Sequence, residues 1–181
     1  MSKRPIIEGS GNVRMPVLFV GHGSPMNIIS NNDFTRRLVR CGKEMPLPSA
    51  VLVVSAHWLT NGVRVTCAKW PKTIYDFYGF PDELYKMEYP CPGAPEVAKL
   101  ARDLVTKTEV KCDFDWGLDH ASWSVLKHMY PDAHVPVLEM SLDYSPYNEW
   151  HPKSLRYYYD LASELAPLRE RGVLIMGSGN I

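Results

Sequence analysis

The sequence predicts an α/β fold in which a mainly parallel sheet is covered by helices on both faces. Short apolar runs alternate with amphipathic segments along the chain, an order that is typical of a layered parallel sheet. The run from Ala50 to Ser55 is almost entirely apolar, as expected for a strand buried on both of its faces. With 181 residues, 45% of them hydrophobic, the chain can bury a core of its own, so we treat residues 1–181 as a single domain.

The strands are predicted where short apolar runs end at glycine, proline or polar residues. The run from Met15 to Val20 comes first, and the patterns at 64–69 and 110–114 are the weakest. In chain order, we predict strands over Met15 to Val20, Ala50 to Ser55, Arg64 to Lys69, Val110 to Phe114, Val135 to Ser141, and Gly172 to Met176.

Four helices are predicted between these strands. The first can be capped by Asn31, Asn32 or Asp33, and the second carries an apolar face that includes Val97 and Leu104. The last is the longest. The predicted helices are Asn32 to Lys43, Pro95 to Thr106, Ser122 to Tyr130, and Pro152 to Arg169.

Residues 70–92 show no periodicity and are rich in proline and aromatic residues. Long irregular loops in compact domains often carry function. This loop follows the predicted strand 64–69, so it can form the wall of a pocket. A packed surface loop without a binding role is the alternative.

Composition excludes several classes of protein. Twenty basic and twenty acidic residues give a net charge of zero, so we expect a small-molecule partner and neither nucleic acid nor a membrane surface. The N-terminus lacks the apolar region of a signal peptide, and no run approaches the length of a membrane span, which predicts a cytoplasmic protein. The four cysteines are widely spaced, and we expect all of them to be reduced thiols: Cys41, Cys67, Cys91 and Cys112.

Two histidines, His22 and His57, each follow directly on a hydrophobic run. In open α/β sheets, functional residues collect outside the carboxyl ends of the strands. If the two runs are neighbouring parallel strands, their axes lie roughly 4.8 Å apart, and both imidazoles can reach one ion at about 2.1 Å. We therefore predict that His22 and His57 bind a metal; a turn-capping role for His22 and a core hydrogen bond for His57 are the alternatives.

A third histidine, His120, is predicted to be catalytic. It follows a glycine-containing turn at the start of a helix that Asp119 or Ser122 can cap. Histidine titrates near neutral pH and is the commonest general acid or base. A helix-capping role for His120 is the alternative, and the remaining histidines are not expected to bind metal: His128, His134 and His151.

Three common enzyme motifs are missing from the sequence. The segment Gly177-Ser-Gly-Asn180 lacks the full glycine pattern of a dinucleotide site, and there is no Walker lysine motif. There is also no G-x-S-x-G nucleophile elbow. Neither nucleotide binding nor a serine hydrolase of the usual α/β type is therefore expected.

Several short motifs, taken together and in order, resemble the class III extradiol ring-cleaving dioxygenases of the DOPA 4,5-dioxygenase type. They run through nearly the whole chain, so the resemblance is far more specific than any one motif. The motifs are Gly21-His-Gly-Ser-Pro-Met26, Val54-Ser-Ala-His-Trp58, Tyr75-Asp-Phe-Tyr-Gly-Phe-Pro81, Tyr89-Pro-Cys-Pro-Gly93, Gly117-Leu-Asp-His-Ala-Ser-Trp123 and Gly177-Ser-Gly-Asn180.

The resemblance implies a specific chemistry. His22 and His57 correspond to the first two metal ligands of that family, and His120 to its acid–base histidine. Fe(II) is the expected metal, with Zn(II) as the alternative, and the implied reaction opens the ring of a catechol such as DOPA with O2. The aromatic loop from Tyr75 to Phe80 is expected to stack on the substrate ring.

The family pattern continues past the last residue of this chain. Its Gly-Asn motif runs on into a histidine just beyond Ile181, and a further metal ligand lies in a C-terminal part that is absent here. We therefore expect the chain to be the N-terminal portion of a catalytic domain. A zinc-dependent hydrolase on the same scaffold and an inactive fragment or binding module are the alternatives, and the sequence leaves an oligomer open.

Overall fold

The architecture was taken from a computed structural model, which describes residues 13–144 and 152–180. Within these residues the chain forms six strands and four α-helices, joined by loops and three short 3-10 helices. In chain order, the elements are β1 (Val17–Gly21), α1 (Asp33–Glu44), β2 (Ala50–Thr60), β3 (Val63–Thr66), α2 (Pro95–Leu104), β4 (Val110–Asp113), α3 (His120–Met129), β5 (Val137–Asp143), α4 (Pro152–Glu164) and β6 (Val173–Gly179).

The strands form one sheet in the order β1-β6-β2-β5-β3-β4. β1, β6, β2 and β5 run parallel to one another. β3 runs antiparallel to β5, with Val65 opposite Met140, and β4 pairs parallel with β3. The predicted mainly parallel sheet is confirmed, and two non-sequential insertions shape it: β6 lies between β1 and β2, and β5 lies between β2 and β3.

Helices cover both faces of the sheet, as predicted. In β2, alternate apolar residues point to opposite faces, so one strand contributes to two cores. Leu38 of α1 and Trp123 of α3 pack on the face that includes Val51 and Val53. Ala98 of α2 and Leu161 of α4 belong to the core on the other face, with Ala50, Leu52, Leu138 and Val173.

Element boundaries differ from the prediction where polar residues continue a strand or proline interrupts a helix. β2 extends to Thr60 rather than ending at Ser55. The long helix predicted over Pro152 to Arg169 is divided: α4 ends at Glu164, and a 3-10 helix follows over Ala166–Arg171. Pro167 lies in the first turn of that 3-10 helix, where the missing N–H of proline is tolerated.

The expectation that all four cysteines are reduced is wrong for two of them. Cys67 and Cys112 form a disulfide that joins the β3 side of the sheet to β4. Strand pairing brings their Cα atoms to 5.6 Å although the residues are separated by 45 positions in sequence, a proximity that the spacing alone did not show. Cys41 and Cys91 are free thiols.

No helix in the part of the chain that the structure describes has the length and hydrophobicity needed to cross a membrane. The loop over residues 70–92 contains only one regular element, a 3-10 helix at Leu84–Lys86. Several of its rings nevertheless pack into or against the core that lies under α1 and α3, among them Tyr75, Phe77, Phe80, Tyr85 and Tyr89.

Candidate metal centre

His22 and His57 lie close together, although their strands are not neighbours. β6 is inserted between β1 and β2, so the axes of the two histidine-bearing strands lie about 9.6 Å apart rather than one spacing apart. His22 follows directly on β1, and His57 lies in β2 where its register with β5 shifts between Val54 and Leu59. The two side chains converge across β6, with their Nε2 atoms 3.0 Å apart.

His120 joins this pair as the first residue of α3. Asp119 is the N-cap of that helix and accepts a hydrogen bond from the backbone N–H of Ala121 at 3.0 Å. The ring centroid of His120 lies 4.2 Å from that of His57 and 5.1 Å from that of His22. One ligand atom from each of the three histidines lies within 4.8 Å of the other two, so we call this group the histidine cluster.

The orientation of His22 is fixed by Ser178 of β6. The Nδ1 atom of His22 lies 3.1 Å from the hydroxyl oxygen of Ser178, which donates its own proton to the carbonyl of Ala121 at 2.6 Å. Because the hydroxyl has only one proton to donate, it must accept from Nδ1–H of His22. The Nε2 lone pair of His22 is therefore directed into the cluster.

A carboxylate that the sequence analysis did not single out, Asp76, fixes the other two rings. Its Oδ2 atom lies 2.8 Å from Nδ1 of His120 and 3.2 Å from Nδ1 of His57, and its Oδ1 accepts the backbone N–H of His120 at 2.8 Å. A carboxylate accepts, so both rings carry a proton on Nδ1, and the Nε2 atom of His57 is left to face that of His22. Asp76 lies in the irregular loop over residues 70–92. The sequence offers only a weak signal for it, since it is the one acidic residue in the aromatic stretch from Tyr75 to Phe80.

The electrostatics of the cluster favour neutral imidazole at His22. Burial and the nearby rings of His120 and His57 lower the pKa of His22 to about 4. A hydrogen bond to Asp76 instead raises the pKa of His57, in spite of the opposing effect of burial. Burial tends to raise the pKa of Asp76, but hydrogen bonds from His120 and His57 outweigh that effect and hold this pKa well below its usual range. Asp76 is therefore an anionic acceptor at neutral pH.

The donor set fits a transition-metal ion. Each Nδ1 atom has a hydrogen-bond partner, one ligand atom from each ring lies within 4.8 Å of the other two, and the Nε2 atoms of His22 and His57 lie within hydrogen-bonding distance of each other. Two nitrogen ligands at about 2.1 Å from one ion and at roughly a right angle would lie about 3.0 Å apart, which matches the observed separation of the Nε2 atoms of His22 and His57. Imidazole nitrogen suits iron and zinc alike.

The aromatic loop encloses one side of the cluster. The ring of Phe77 meets that of His120 edge-on, with centroids 5.6 Å apart, and packs against Tyr75 and Phe80. The hydroxyl of Tyr75 donates to the carbonyl of Met87 at 2.7 Å. Most rings of the loop are thus engaged in packing. Tyr78, which is 92% exposed, is the ring from Tyr75 to Phe80 with an open face.

The remaining candidates lie apart from the cluster. His128 pairs with the backbone carbonyl of Asn27 at 2.8 Å, and His134 is exposed and does not join the histidine cluster. His151 lies outside the described residues. The Gly177-Ser-Gly-Asn180 segment is the end of β6 and the residue after it; its serine holds His22, and the side chain of Asn180 accepts from the backbone N–H of Gly23.

Comparison with known proteins gives one family match over almost the whole chain. The family described as the catalytic LigB subunit of aromatic ring-opening dioxygenase matches residues 16–181. The 4,5-DOPA dioxygenase extradiol of Escherichia coli (strain K12) is 44% identical over 94% of this chain and 60% of its own length. The protein of the same name from Beta vulgaris is 38% identical over 95% of this chain and 64% of its own length.

A solved structure agrees with these matches. The crystal structure of an uncharacterized protein from Escherichia coli K12 superposes with a TM-score of 0.72 and 38% sequence identity, over 92% of this chain and 60% of that one. The chain thus spans roughly three-fifths of the length of the relatives that it matches.

Proposed function

Because this chain belongs to the class III extradiol dioxygenases of the DOPA type, the family of the LigB catalytic subunit, we propose that the protein opens the ring of a catechol such as DOPA with O2. The convergence of three imidazoles, each held by a hydrogen bond at Nδ1, is the observation that carries the proposal. Imidazoles oriented in this way suit a transition-metal ion, and in this set His22 and His120 are buried while His57 is exposed.

In this proposal His22 and His57 hold the metal through Nε2. Fe(II) is the proposed ion and Zn(II) the alternative, since imidazole binds both. The bound ion would supply a Lewis-acidic centre with open positions for the catechol oxygens and for O2. Ser178 and Asp76 keep the two ligand rings oriented, so that binding requires little rearrangement of the protein.

His120 is proposed to move protons. Its ring lies beside those of the two proposed ligands and its Nδ1 is engaged with Asp76, so Nε2 is the nitrogen left to accept a proton from a catechol hydroxyl and to return one later. Asp76 accepts a hydrogen bond from Nδ1–H of His120 and would stabilise the imidazolium that forms, as a carboxylate does beside a general-base histidine. Phe77 covers one edge of His120 and limits access of water from that side.

The other expectations remain proposals of the same kind. We propose a small-molecule catechol and O2 as the partners, and a cytoplasmic location. Tyr78 is the proposed stacking residue because its ring is open to a ligand. That the chain is the N-terminal portion of a catalytic domain remains a prediction.

Oxygen uptake tests the proposal directly. The chain is loaded with Fe(II) without air, and O2 consumption and absorbance are followed after L-DOPA is added. We expect uptake that is lost in His22→Ala and in His120→Ala, with metal content lost in the former. His134→Ala is the matched control, since His134 is exposed and lies outside the cluster.

Two results would contradict this assignment. An iron-loaded chain that consumes no O2 with any catechol tested would refute ring cleavage by this chain. Turnover that requires Zn(II) and no O2 would instead favour a hydrolase.

A further inference from the structure

A fully buried carboxyl group, that of Glu139, lies in β5. Burial, with the nearby Asp119, raises the pKa of Glu139 well above its usual range. Burying a carboxyl group is costly unless hydrogen bonds satisfy it. Its side chain accepts from Trp116 Nε1 at 2.9 Å and from the backbone N–H of Asp119 at 2.9 Å, and it contacts the hydroxyl of Ser122, which also lies 2.9 Å from the carbonyl oxygen of Asp119.

These donors share one location in the chain. All of them come from residues 116–122, the turn that precedes α3 and the first turn of that helix. The N–H groups at a helix start have no partner within the helix and need outside acceptors. Glu139 and the side chain of Asp119 together supply such acceptors, so the carboxylate on β5 sets where α3 begins. His120 is the first residue of that helix.

A second branch of the same network reaches His57. The Oδ2 atom of Asp119 accepts the hydroxyl proton of Ser55 at 2.6 Å, and the oxygen of Ser55 accepts the backbone N–H of His57 at 3.1 Å. The start of α3 is therefore tied to the segment of β2 in which the register shifts. One connected set of buried and half-buried hydrogen bonds thus holds the backbone of His57 and that of Asp119, the residue before His120.

We infer that Glu139 is a positioning residue of the proposed metal centre: its carboxylate holds the turn before α3 and, through Asp119 and Ser55, sets the spacing between His120 and His57. The inference rests on the proposed metal site and is independent of ring cleavage. A carboxylate that merely stabilised the fold would affect the free energy of unfolding without changing the state of the two rings.

Glu139→Gln tests this role in the full, metal-free chain labelled with 15N-histidine. Trp116 and Asp119 donate to different oxygens of Glu139, and the amide keeps the shape of the side chain but has one acceptor oxygen, so it cannot keep both hydrogen bonds. In the wild-type chain, the imidazole signals of His57 and His120 should show the proton on Nδ1. In the variant we expect those signals to shift and average, and the Zn(II) dissociation constant to rise roughly 10- to 100-fold.

Glu164→Gln is the matched control. Glu164 likewise accepts hydrogen bonds from a backbone turn, at Thr106 and Lys107, but lies at the end of α4. We expect it to leave the histidine signals and the Zn(II) affinity unchanged. Ser55→Ala removes only the hydrogen bonds that lead to His57, so it should shift the signals of His57 more than those of His120. If Glu139→Gln does not fold, Ser55→Ala provides the test instead.

The outcomes separate the two proposals. If a folded Glu139→Gln or Ser55→Ala chain keeps wild-type histidine signals and Zn(II) affinity, even with lower stability, the positioning role is refuted. A wild-type chain that takes up no O2 contradicts the proposed function only, because the histidine signals of the metal-free chain still decide the role of Glu139.

Discussion

Replacing Asp76 by asparagine should weaken metal binding more than it weakens the fold. The carboxylate accepts Nδ1–H from both His57 and His120 through one oxygen, while its other oxygen accepts the backbone N–H of His120. Asparagine can keep the backbone contact with its carbonyl oxygen, which turns its NH2 group toward the two rings. A ring can accept a hydrogen bond from that NH2 group only if its own proton moves from Nδ1 to Nε2. The proton on Nε2 then prevents that nitrogen from binding a metal.

The size of the effect follows from these contacts. Loss of a carboxylate that orients metal-binding histidines typically costs 10- to 100-fold in affinity, which corresponds to roughly 1.4–2.8 kcal/mol. The metal-free chain also loses hydrogen bonds to a charged acceptor, worth about 1.5–3 kcal/mol each before the asparagine contacts replace part of them. We therefore expect a folded variant with a moderately lower free energy of unfolding and a Zn(II) or Co(II) dissociation constant raised by one to two powers of ten.

Competition with a chromophoric chelator measures the affinity, and urea unfolding measures the stability. Asp143→Asn is the control, because Asp143 accepts from the backbone of Gly62 and the hydroxyl of Tyr157 and lies outside the cluster. A folded Asp76→Asn chain that binds metal within threefold of the wild type would refute the reasoning, as would a control variant that weakens binding to the same degree.

Three further predictions concern the cluster and the sheet. Ser178→Ala leaves the buried Nδ1 of His22 and the carbonyl of Ala121 without a partner, so it should cost about 1–3 kcal/mol in urea unfolding and roughly tenfold in Zn(II) affinity; unchanged values would contradict the assigned proton positions. The pKa of His22 is lowered from 6.5 to about 4 in the folded chain. Between these two pH values the unfolded chain binds more protons at this residue than the folded chain does. The free energy of unfolding of the metal-free chain should therefore fall by about 1–3 kcal/mol as the pH is lowered through that range. His22→Gln should remove this contribution to the pH dependence of stability. If the variant lost as much stability as the wild type over the same pH range, the lowered pKa of His22 would not be the cause. Reduction of the disulfide between Cys67 and Cys112, which lie 45 residues apart, should lower the free energy of unfolding by up to about 4 kcal/mol; peptide mapping that finds both thiols free in the untreated chain would rule the bond out.

Much of the fold could be predicted because local patterns determine it. The core of β2 is an apolar run, and Asp119 at the start of α3 is a typical cap, so both elements were found within a few residues of their observed bounds. The parallel sheet and the helices on both faces followed from the alternation of elements. His22, His57 and His120, chosen from strand ends and a helix start, are brought together in one cluster.

What could not be predicted depends on contacts between distant parts of the chain. Asp76 is an ordinary acid in an aperiodic loop, and only the folded chain shows that it holds two rings at once. The disulfide depends on the pairing of β3 with β4, which wide cysteine spacing conceals. The order of the strands could not be predicted either. The convergence of His22 and His57 was expected on the condition that their strands are neighbours, and this condition is not met because β6 lies between them.

The insertion of β6 between β1 and β2 also has a consequence for how the molecule is assembled. The ribosome completes both histidine-bearing strands, β1 and β2, long before it makes residues 173–179. These two strands do not pair with one another, and each of them pairs with β6 instead. Such long-range pairings form slowly, since the connecting chain must first be closed into loops. We therefore expect His22 and His57 to be brought together only after β6 docks, so that the proposed metal site forms late in folding.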